Sequence, residues 1–108
     1  RTFNSSDLPL RIGRVPEASF VVSDPRVSRM HATIGMVSGN YVLEDVSSYG
    51  TWVRFAGSDS AIPLRRQEMV LHSDGEFSLG APFTDFSAPT VSFKLVDGSM
   101  VLGRLPTR

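Results

Sequence analysis

The chain has 108 residues, of which 41% are apolar and 20% are charged, and its formal net charge is zero. This composition is typical of one folded globular domain and not of a disordered segment. No apolar run approaches the roughly 20 residues of a membrane-spanning helix. The balanced charge also argues against an electrostatic grip on nucleic acid or anionic lipid, so we predict neither nucleic-acid binding nor membrane insertion.

Cysteine is absent, which excludes a disulfide framework and a cysteine-based zinc site and fits a reducing, cytoplasmic compartment. Ten of the 11 cations are arginine, and Lys94 is the exception. This Arg-rich composition favours a bacterial source, and it means that an anion site here would use bidentate guanidinium groups. Because the chain begins with Arg1 rather than methionine, we expect it to be a piece of a longer protein.

Short apolar or alternating runs recur along the chain, and turn residues such as Ser38-Gly39-Asn40 separate them. Nine runs predict strands: Leu10–Ile12, Phe20–Val22, Ala32–Met36, Tyr41–Glu44, Thr51–Phe55, Met69–Leu71, Glu76–Leu79, Val91–Leu95 and Met100–Leu102. Short strands at this spacing indicate an all-β sandwich or barrel with at most a helical turn or two. The polar ends, Arg1–Asp7 and Gly103–Arg108, are predicted to be loosely held.

One predicted strand entrance is unusually rich in hydrogen-bond donors. The stretch SDPRVSRMHATIG, residues 23 to 35, contains Arg26, Ser28, Arg29 and His31, with no carboxylate after Asp24 to balance them. Arginine and hydroxyl donors without a facing carboxylate suit an anion, because the missing negative charge then arrives with the ligand.

Two further predicted loops carry similar chemistry. The stretch RIGRV places Gly13 and Arg14 after a short apolar run, and EDVSSYGTWV places the hydroxyls of Ser47, Ser48 and Thr51 between two strands. In a sandwich, alternate loops gather at one end. If these loops do so, one arginine, several hydroxyls and loop N–H groups would surround a tetrahedral anion.

Four sequence blocks occur in an order that resembles the forkhead-associated (FHA) family: Gly-Arg, Ser-Arg-x-His, Asp-x-Ser-Ser-x-Gly-Thr and LHSDGEFSLG. The resemblance runs from about Leu10 to Leu95. It implies an FHA/SMAD-like antiparallel β-sandwich of about eleven short strands that binds phosphothreonine peptides through loops at one end. We therefore predict a single FHA-like domain over residues 1–108, with the motif-bearing core at about 10–95.

The resemblance also implies roles for individual residues. By matching position, Arg14 and Ser28 would hold the phosphate and Arg29 would lie beside the peptide. Ser48 would help to bind the phosphate or would line the pocket for the threonine methyl group. The residues expected to structure the loops are Gly13, His31, Gly50 and Thr51. The family resemblance implies no catalysis, no cofactor and no metal.

The sequence departs from the family at Tyr49, where the usual residue is an asparagine that bonds the peptide backbone. Tyr49 is interpreted either as a peptide contact or as an exposed loop residue. Trp52 is interpreted either as a core residue or as a residue at the rim. His72 is predicted to lie on the surface. Gly103-Arg104 repeats the Gly-Arg pair without the partner blocks, so we assign it no function.

The leading functional hypothesis is a non-catalytic signalling or assembly adaptor that recognises phosphothreonine in partner proteins, which implies an upstream Ser/Thr kinase. The alternative is an FHA-like scaffold for phosphorylation-independent assembly, which Tyr49 and the hydrophobic strand residues keep open. A third hypothesis is a hydrolase with Ser28, His31 and Asp45 as nucleophile, base and orienting residue. No Gly-x-Ser-x-Gly elbow is present to support the hydrolase.

Overall fold

The structure, a computed structural model, describes residues 1 to 106. Those residues form eleven β-strands and a single 3₁₀ turn at Ser5–Asp7. The strands are β1 (Thr2–Phe3), β2 (Leu10–Gly13), β3 (Phe20–Val21), β4 (Ala32–Val37), β5 (Asn40–Asp45), β6 (Thr51–Phe55), β7 (Ile62–Leu64), β8 (Glu68–Leu71), β9 (Gly75–Leu79), β10 (Thr90–Val96) and β11 (Ser99–Arg104). The all-β class and the number of strands predicted from the resemblance are confirmed.

Two sheets make up the sandwich. The six-stranded sheet has the order β1-β11-β10-β9-β6-β7, and the five-stranded sheet has the order β3-β2-β4-β5-β8. All strand pairs are antiparallel except β2 with β3, which run parallel through Ile12 opposite Phe20 and Gly13 opposite Val21. This pair departs from the predicted antiparallel arrangement because the loop at residues 14–19 carries the chain back before β3 begins alongside β2.

The core lies between the sheets and follows the alternation of each strand. In β4 and β10, for example, every second residue at the start of the strand is buried. Phe77 and Phe93 stack there with ring centroids 4.4 Å apart. Alternation of period two places one side chain in the core and the next one outside, as in most antiparallel sandwiches.

The hairpin predicted at Ser38-Gly39-Asn40 is confirmed. Ser38 and Gly39 have φ angles of 52° and 81°, so both central residues have the positive φ of a two-residue type I′ turn. The resulting register pairs Ala32 with Asp45 at the other end of β4 and β5. The loop that precedes Ala32 and the loop that follows Asp45 are therefore neighbours.

The chain ends are more ordered than predicted. Thr2–Phe3 pairs with Val101 and Met100 of β11, and the Phe3 side chain is buried. Gly103-Arg104 pairs with Ser92 and Val91 in β10. The prediction of loose ends is therefore wrong for both segments, while Thr107 and Arg108 lie outside the described residues.

Strand β7 was also not predicted from the sequence, and it is an edge strand whose one neighbour among the described strands is β6. Pro63 lies inside it, and a proline cannot donate a ladder hydrogen bond, which restricts it to edge positions. Within residues 1–106, no helix is long and apolar enough to span a bilayer.

Candidate functional site

The loop after β2 and the loop before β4 are joined by backbone hydrogen bonds. The N–H of Arg14 is shared between the carbonyl oxygens of Ser28 and Arg29, each at 3.1 Å. The N–H of His31 donates to the carbonyl of Ile12 at 2.8 Å. These bonds bring the Gly-Arg block and the Ser-Arg-x-His block into one surface.

Gly13 permits this close approach of two backbones. A Cβ atom at residue 13 would lie 1.9 Å from the carbonyl oxygen of Arg29, which no real side chain can accept. Glycine is the residue used where one backbone must pass this close to another. Gly13 thereby determines how near the Arg14 backbone comes to the Ser28 loop.

The side chain of Arg14 is exposed but oriented. Its Nε donates to the carbonyl of Val27 at 3.0 Å. The two terminal nitrogens have no hydrogen-bond partner among residues 1–106, and the ion pairs of this part of the chain involve only Arg26 and Arg54. Arg14 therefore presents an uncompensated, directed pair of donors.

The hydroxyl of Ser28 links the second loop to the loop after β5. Ser28 Oγ accepts a hydrogen bond from the backbone N–H of Ser48 at 3.0 Å. A serine hydroxyl carries one donor hydrogen as well as its acceptor lone pairs. Within the described chain that hydrogen has no protein acceptor, so it is available to an anion.

His31 is fully buried beneath the loops and connects two of them. Its Nδ1 accepts the N–H of Ser28 at 3.1 Å, which assigns the ring proton to Nε2, and Nε2 donates to the carbonyl of Gly50 at 2.9 Å. Burial lowers the pKa of His31, against smaller opposing contributions from the Gly50 carbonyl and the charge of Asp45. A neutral imidazole is therefore the form that fits these bonds.

This geometry differs from the one that the hydrolase hypothesis requires. His31 bonds the backbone N–H of Ser28 and not its hydroxyl, and both ring nitrogens are occupied by backbone groups. Asp45 makes no hydrogen bond to the imidazole and instead anchors the neighbouring loop, with its Oδ1 accepting from Ser47 Oγ at 2.6 Å and from Thr51 Oγ1 at 2.7 Å. The three residues are near one another but do not form a triad.

The anchoring role of Asp45 and Ser47 was not recognised from the sequence. Ser47 Oγ also accepts the N–H of Gly50 at 2.7 Å, which closes the turn. The spacing Asp-x-Ser before a glycine is a signal that could have predicted this turn, since Asp and Ser side chains commonly bond the backbone a few residues on. Gly50 itself has a φ of 100°, a backbone conformation that favours glycine.

Three other predicted site residues lie on the exposed surface of the same loops. The side chains of Arg29, Ser48 and Tyr49 are exposed, with Tyr49 at 56% of its full accessible area. In the described part of the chain, none of the three side chains makes a hydrogen bond or an ion pair. All three side chains are therefore accessible to a ligand.

The remaining residues named from the sequence belong to β6, to β11 and to the segment that follows β8. Trp52 is half-buried. His72 is exposed, and its ring stacks on Phe55 with the ring centroids 4.2 Å apart. Gly103-Arg104 is part of β11. Across the described residues, no group of three or more His, Cys, Asp or Glu is arranged to hold a metal ion.

A sequence model of the FHA domain matches residues 10–80, which is more than half of the chain. The chain belongs to the FHA domain family. No curated protein sequence matches this FHA domain significantly.

Solved structures agree with this assignment. The FHA-2 domain of the Mycobacterium tuberculosis ABC transporter Rv1747 is 23% identical, with a TM-score of 0.58 over 92% of this chain and 75% of its own. The FHA domain of FhaA, solved with the intracellular domain of Rv3910, is 30% identical, with a TM-score of 0.51 over 66% of this chain and 70% of its own. The FHA domain of human APLF, solved with an XRCC1 bisphospho peptide, is 19% identical, with a TM-score of 0.55 over 85% of this chain and 76% of its own.

Proposed function

We propose that this FHA domain is a non-catalytic adaptor that binds phosphothreonine in partner proteins through Arg14 and Ser28. One observation carries the proposal. The Arg14 side chain is oriented by the bond from its Nε, and the Ser28 side chain by the bond that its Oγ accepts. The Arg14 terminal nitrogens and the Ser28 hydroxyl hydrogen remain without a protein acceptor in residues 1–106. Oriented donors without a carboxylate are suited to an anion with several oxygens.

A phosphorylated side chain has this chemistry. It carries about −1.5 to −2 charges and three acceptor oxygens near neutral pH. In the proposed complex Arg14 binds two of these oxygens and Ser28 donates to the third. Arg29 lies beside the peptide, Ser48 contacts the phosphate or the threonine methyl group, and Tyr49 borders the residues that follow.

The non-catalytic role is supported by the state of His31. A serine nucleophile needs a base that accepts its hydroxyl proton, and here both ring nitrogens of His31 bond backbone groups. In this proposal Gly13, His31, Gly50 and Thr51 hold the loops in shape. No cofactor takes part in the proposed function.

The wider setting of the domain belongs to the same proposal. We place residues 1–108 in a single domain, which the pairing of β1 with β11 supports. A partner protein phosphorylated by a Ser/Thr kinase follows from the proposed ligand. The proposed cytoplasmic location rests on the absence of cysteine, and the proposed bacterial source rests on the Arg-rich composition.

The test is a screen of this FHA domain against a phosphothreonine peptide library, followed by titration of the best peptide in three forms. The forms carry phosphothreonine, phosphoserine or unmodified threonine at the same position. We expect binding to the phosphothreonine form and none to the unmodified peptide. Equal binding of the phosphorylated and unmodified peptides would instead support the scaffold that assembles without phosphorylation.

A further inference from the structure

We propose that Arg66 is a positioning residue for the binding loop, acting through the Ser47–Ser48 peptide group. This inference rests on the proposed function, because it concerns the same loop. Arg66 lies in the turn between β7 and β8, outside every sequence block that resembles the family. Two hydrogen bonds support this inference, one to Asp45 at the end of β5 and one to Ser47 in the loop that follows.

The first of these bonds comes from the backbone. The N–H of Arg66 donates to Oδ2 of Asp45 at 3.0 Å, while Oδ1 of the same carboxylate holds Ser47 and Thr51. The β7–β8 turn is therefore attached to the residue that anchors the whole loop. Any residue other than proline at position 66 can supply this bond.

The second bond comes from the side chain, so it depends on which residue occupies position 66. Arg66 Nε donates to the carbonyl oxygen of Ser47 at 3.0 Å. The N–H of that same peptide group belongs to Ser48 and donates to Ser28 Oγ at 3.0 Å. Because the C=O and N–H of a trans peptide point in opposite directions, Arg66 and Ser28 hold this group from opposite sides.

The consequence concerns the hydroxyl that is proposed to meet the phosphate. The Ser48 N–H occupies a lone pair of Ser28 Oγ, which leaves the hydroxyl hydrogen for the ligand. If the peptide group rotates, that lone pair loses its partner and the hydroxyl loses its preferred direction. Arg66 therefore orients Ser28 without touching the ligand.

The backbone of Arg66 supports a role beyond folding. Its φ is +55°, in the left-handed region that a non-glycine residue seldom adopts. Glycine would fit this turn better but would provide no side-chain donor for Ser47. The backbone conformation therefore favours glycine, whereas the bond to the Ser47 carbonyl needs a side-chain donor.

The substitution Arg66→Gly separates these two effects. It relieves the positive φ and keeps the backbone bond to Asp45, but it removes Nε. We expect the thermal unfolding temperature to stay equal or rise, while affinity for the phosphothreonine peptide falls by about two- to tenfold, the value of one hydrogen bond. A residue that serves folding alone would not show this opposition between stability and binding.

Two control variants isolate the cause. Arg65→Ala removes the neighbouring exposed charge, whose side chain makes no hydrogen bond within residues 1–106, and should keep wild-type affinity. Asp97→Gly relieves a positive φ of 49° in the β10–β11 turn and should change stability without changing affinity. If Arg65→Ala weakens binding as much as Arg66→Gly, general charge explains the loss and the positioning role is wrong.

A second measurement needs no ligand. Amide hydrogen exchange at Ser48 in the free protein should be severalfold faster in Arg66→Gly than in the wild type, and unchanged in both controls. If the wild type binds no phosphopeptide, the proposed function fails while this exchange still tests the hold on the peptide group. Unchanged Ser48 exchange together with unchanged affinity in Arg66→Gly overturns the inference.

Discussion

The hydroxyl of Ser28 accepts a hydrogen bond from the backbone N–H of Ser48 at 3.0 Å, between residues that are 20 positions apart in the sequence. This contact joins two of the loops before any ligand is bound. Preorganised donors reduce the cost of ordering a site during association. The same contact explains why the site should depend on loop geometry as strongly as on its charges.

Replacing Arg14 by alanine should remove most phosphopeptide binding and leave the fold intact. Among residues 1–106, the exposed guanidinium has a single hydrogen bond, to Val27, so its loss should affect stability little. Breaking a close charged pair typically costs about 2–5 kcal/mol of binding free energy. A complex of micromolar affinity, near −8 kcal/mol, would then be hard to detect by titration calorimetry.

The chain provides a matched control for Arg14. Arg104 belongs to the second Gly-Arg pair and is likewise exposed, but it lies in β11. Arg104→Ala removes the same net charge and should bind the peptide with nearly wild-type affinity. An Arg14→Ala protein that binds as tightly as the wild type would exclude Arg14 from the site.

Replacing His31 by alanine should destabilise the protein. The imidazole is fully buried, and its deletion leaves the Ser28 N–H without a partner, while the Gly50 carbonyl loses one of its two donors and keeps the N–H of Gly80 at 2.9 Å. Each unsatisfied buried group costs about 1–3 kcal/mol of unfolding free energy. Weaker peptide binding should follow only as the loops loosen, so a variant with native stability and no binding would identify His31 as a direct contact.

The lowered pKa of His31 also predicts a pH dependence. Burial disfavours the protonated imidazole in the folded state, so the unfolded chain binds more protons as the pH falls below the usual value of 6.5. The free energy of unfolding should therefore be retained above that pH and should decrease below it. Denaturant titrations at several pH values would measure this slope.

The His31 contribution can be separated from those of the other titratable groups. The hydrogen bonds to Arg26 hold the pKa of Asp24 below its usual 3.8, so this carboxylate stays charged throughout measurements above about pH 5. The slope should disappear in His31→Ala and persist in His72→Gln, a change at an exposed histidine. A slope that survives in His31→Ala would assign the effect to another group.

Two glycine substitutions should differ sharply in how much they lower the free energy of unfolding. In Gly13→Ala the new Cβ would meet the Arg29 carbonyl at 1.9 Å, so the two loops must separate. Overpacking of this kind costs about 1–3 kcal/mol of unfolding free energy, and the displaced Arg14 should bind the peptide less well. In Gly35→Ala, also in a strand, the Cβ meets nothing within 4 Å, and thermal unfolding should be nearly unchanged.

Replacing Tyr49 by asparagine should tighten binding to a generic phosphothreonine peptide. A short amide beside the phosphate can donate to and accept from the peptide backbone, whereas the phenol hydroxyl of the exposed Tyr49 lies at the end of a ring. A net hydrogen bond contributes about 0.5–1.5 kcal/mol, or roughly two- to tenfold in affinity. Dependence on phosphorylation should persist because Arg14 and Ser28 are unchanged.

Isothermal titration of both proteins against several phosphopeptides tests this substitution. Stacking of Tyr49 on one particular ligand side chain would show as weaker binding of that peptide and tighter binding of the others. If Tyr49→Asn weakens every peptide, the tyrosine is a general contact and the reasoning from the family's asparagine is wrong.

Local patterns were sufficient to predict most of the fold. Strand alternation and turn residues such as Ser38-Gly39 depend on neighbours in the sequence, so the hairpin and most of the strands could be read directly. The two-residue β1 and the proline-containing β7 are too short or too atypical to show a period, and only pairing with β11 and β6 makes them strands. The same sequence motifs predicted which loops would carry Arg14 and Ser28.

The details of the site came from the tertiary structure. The ring proton of His31 is assigned by its bonds to Ser28 and to Gly50, which is 19 positions away in the sequence. The hydrogen bond from Arg66 to Ser47 also joins residues that are 19 positions apart. Hydrogen bonds across such separations exist only after the two sheets pack and bring the loops to one end. The sequence by itself determined which donors are present, and the packing of the sandwich decided which of them remain free for a ligand.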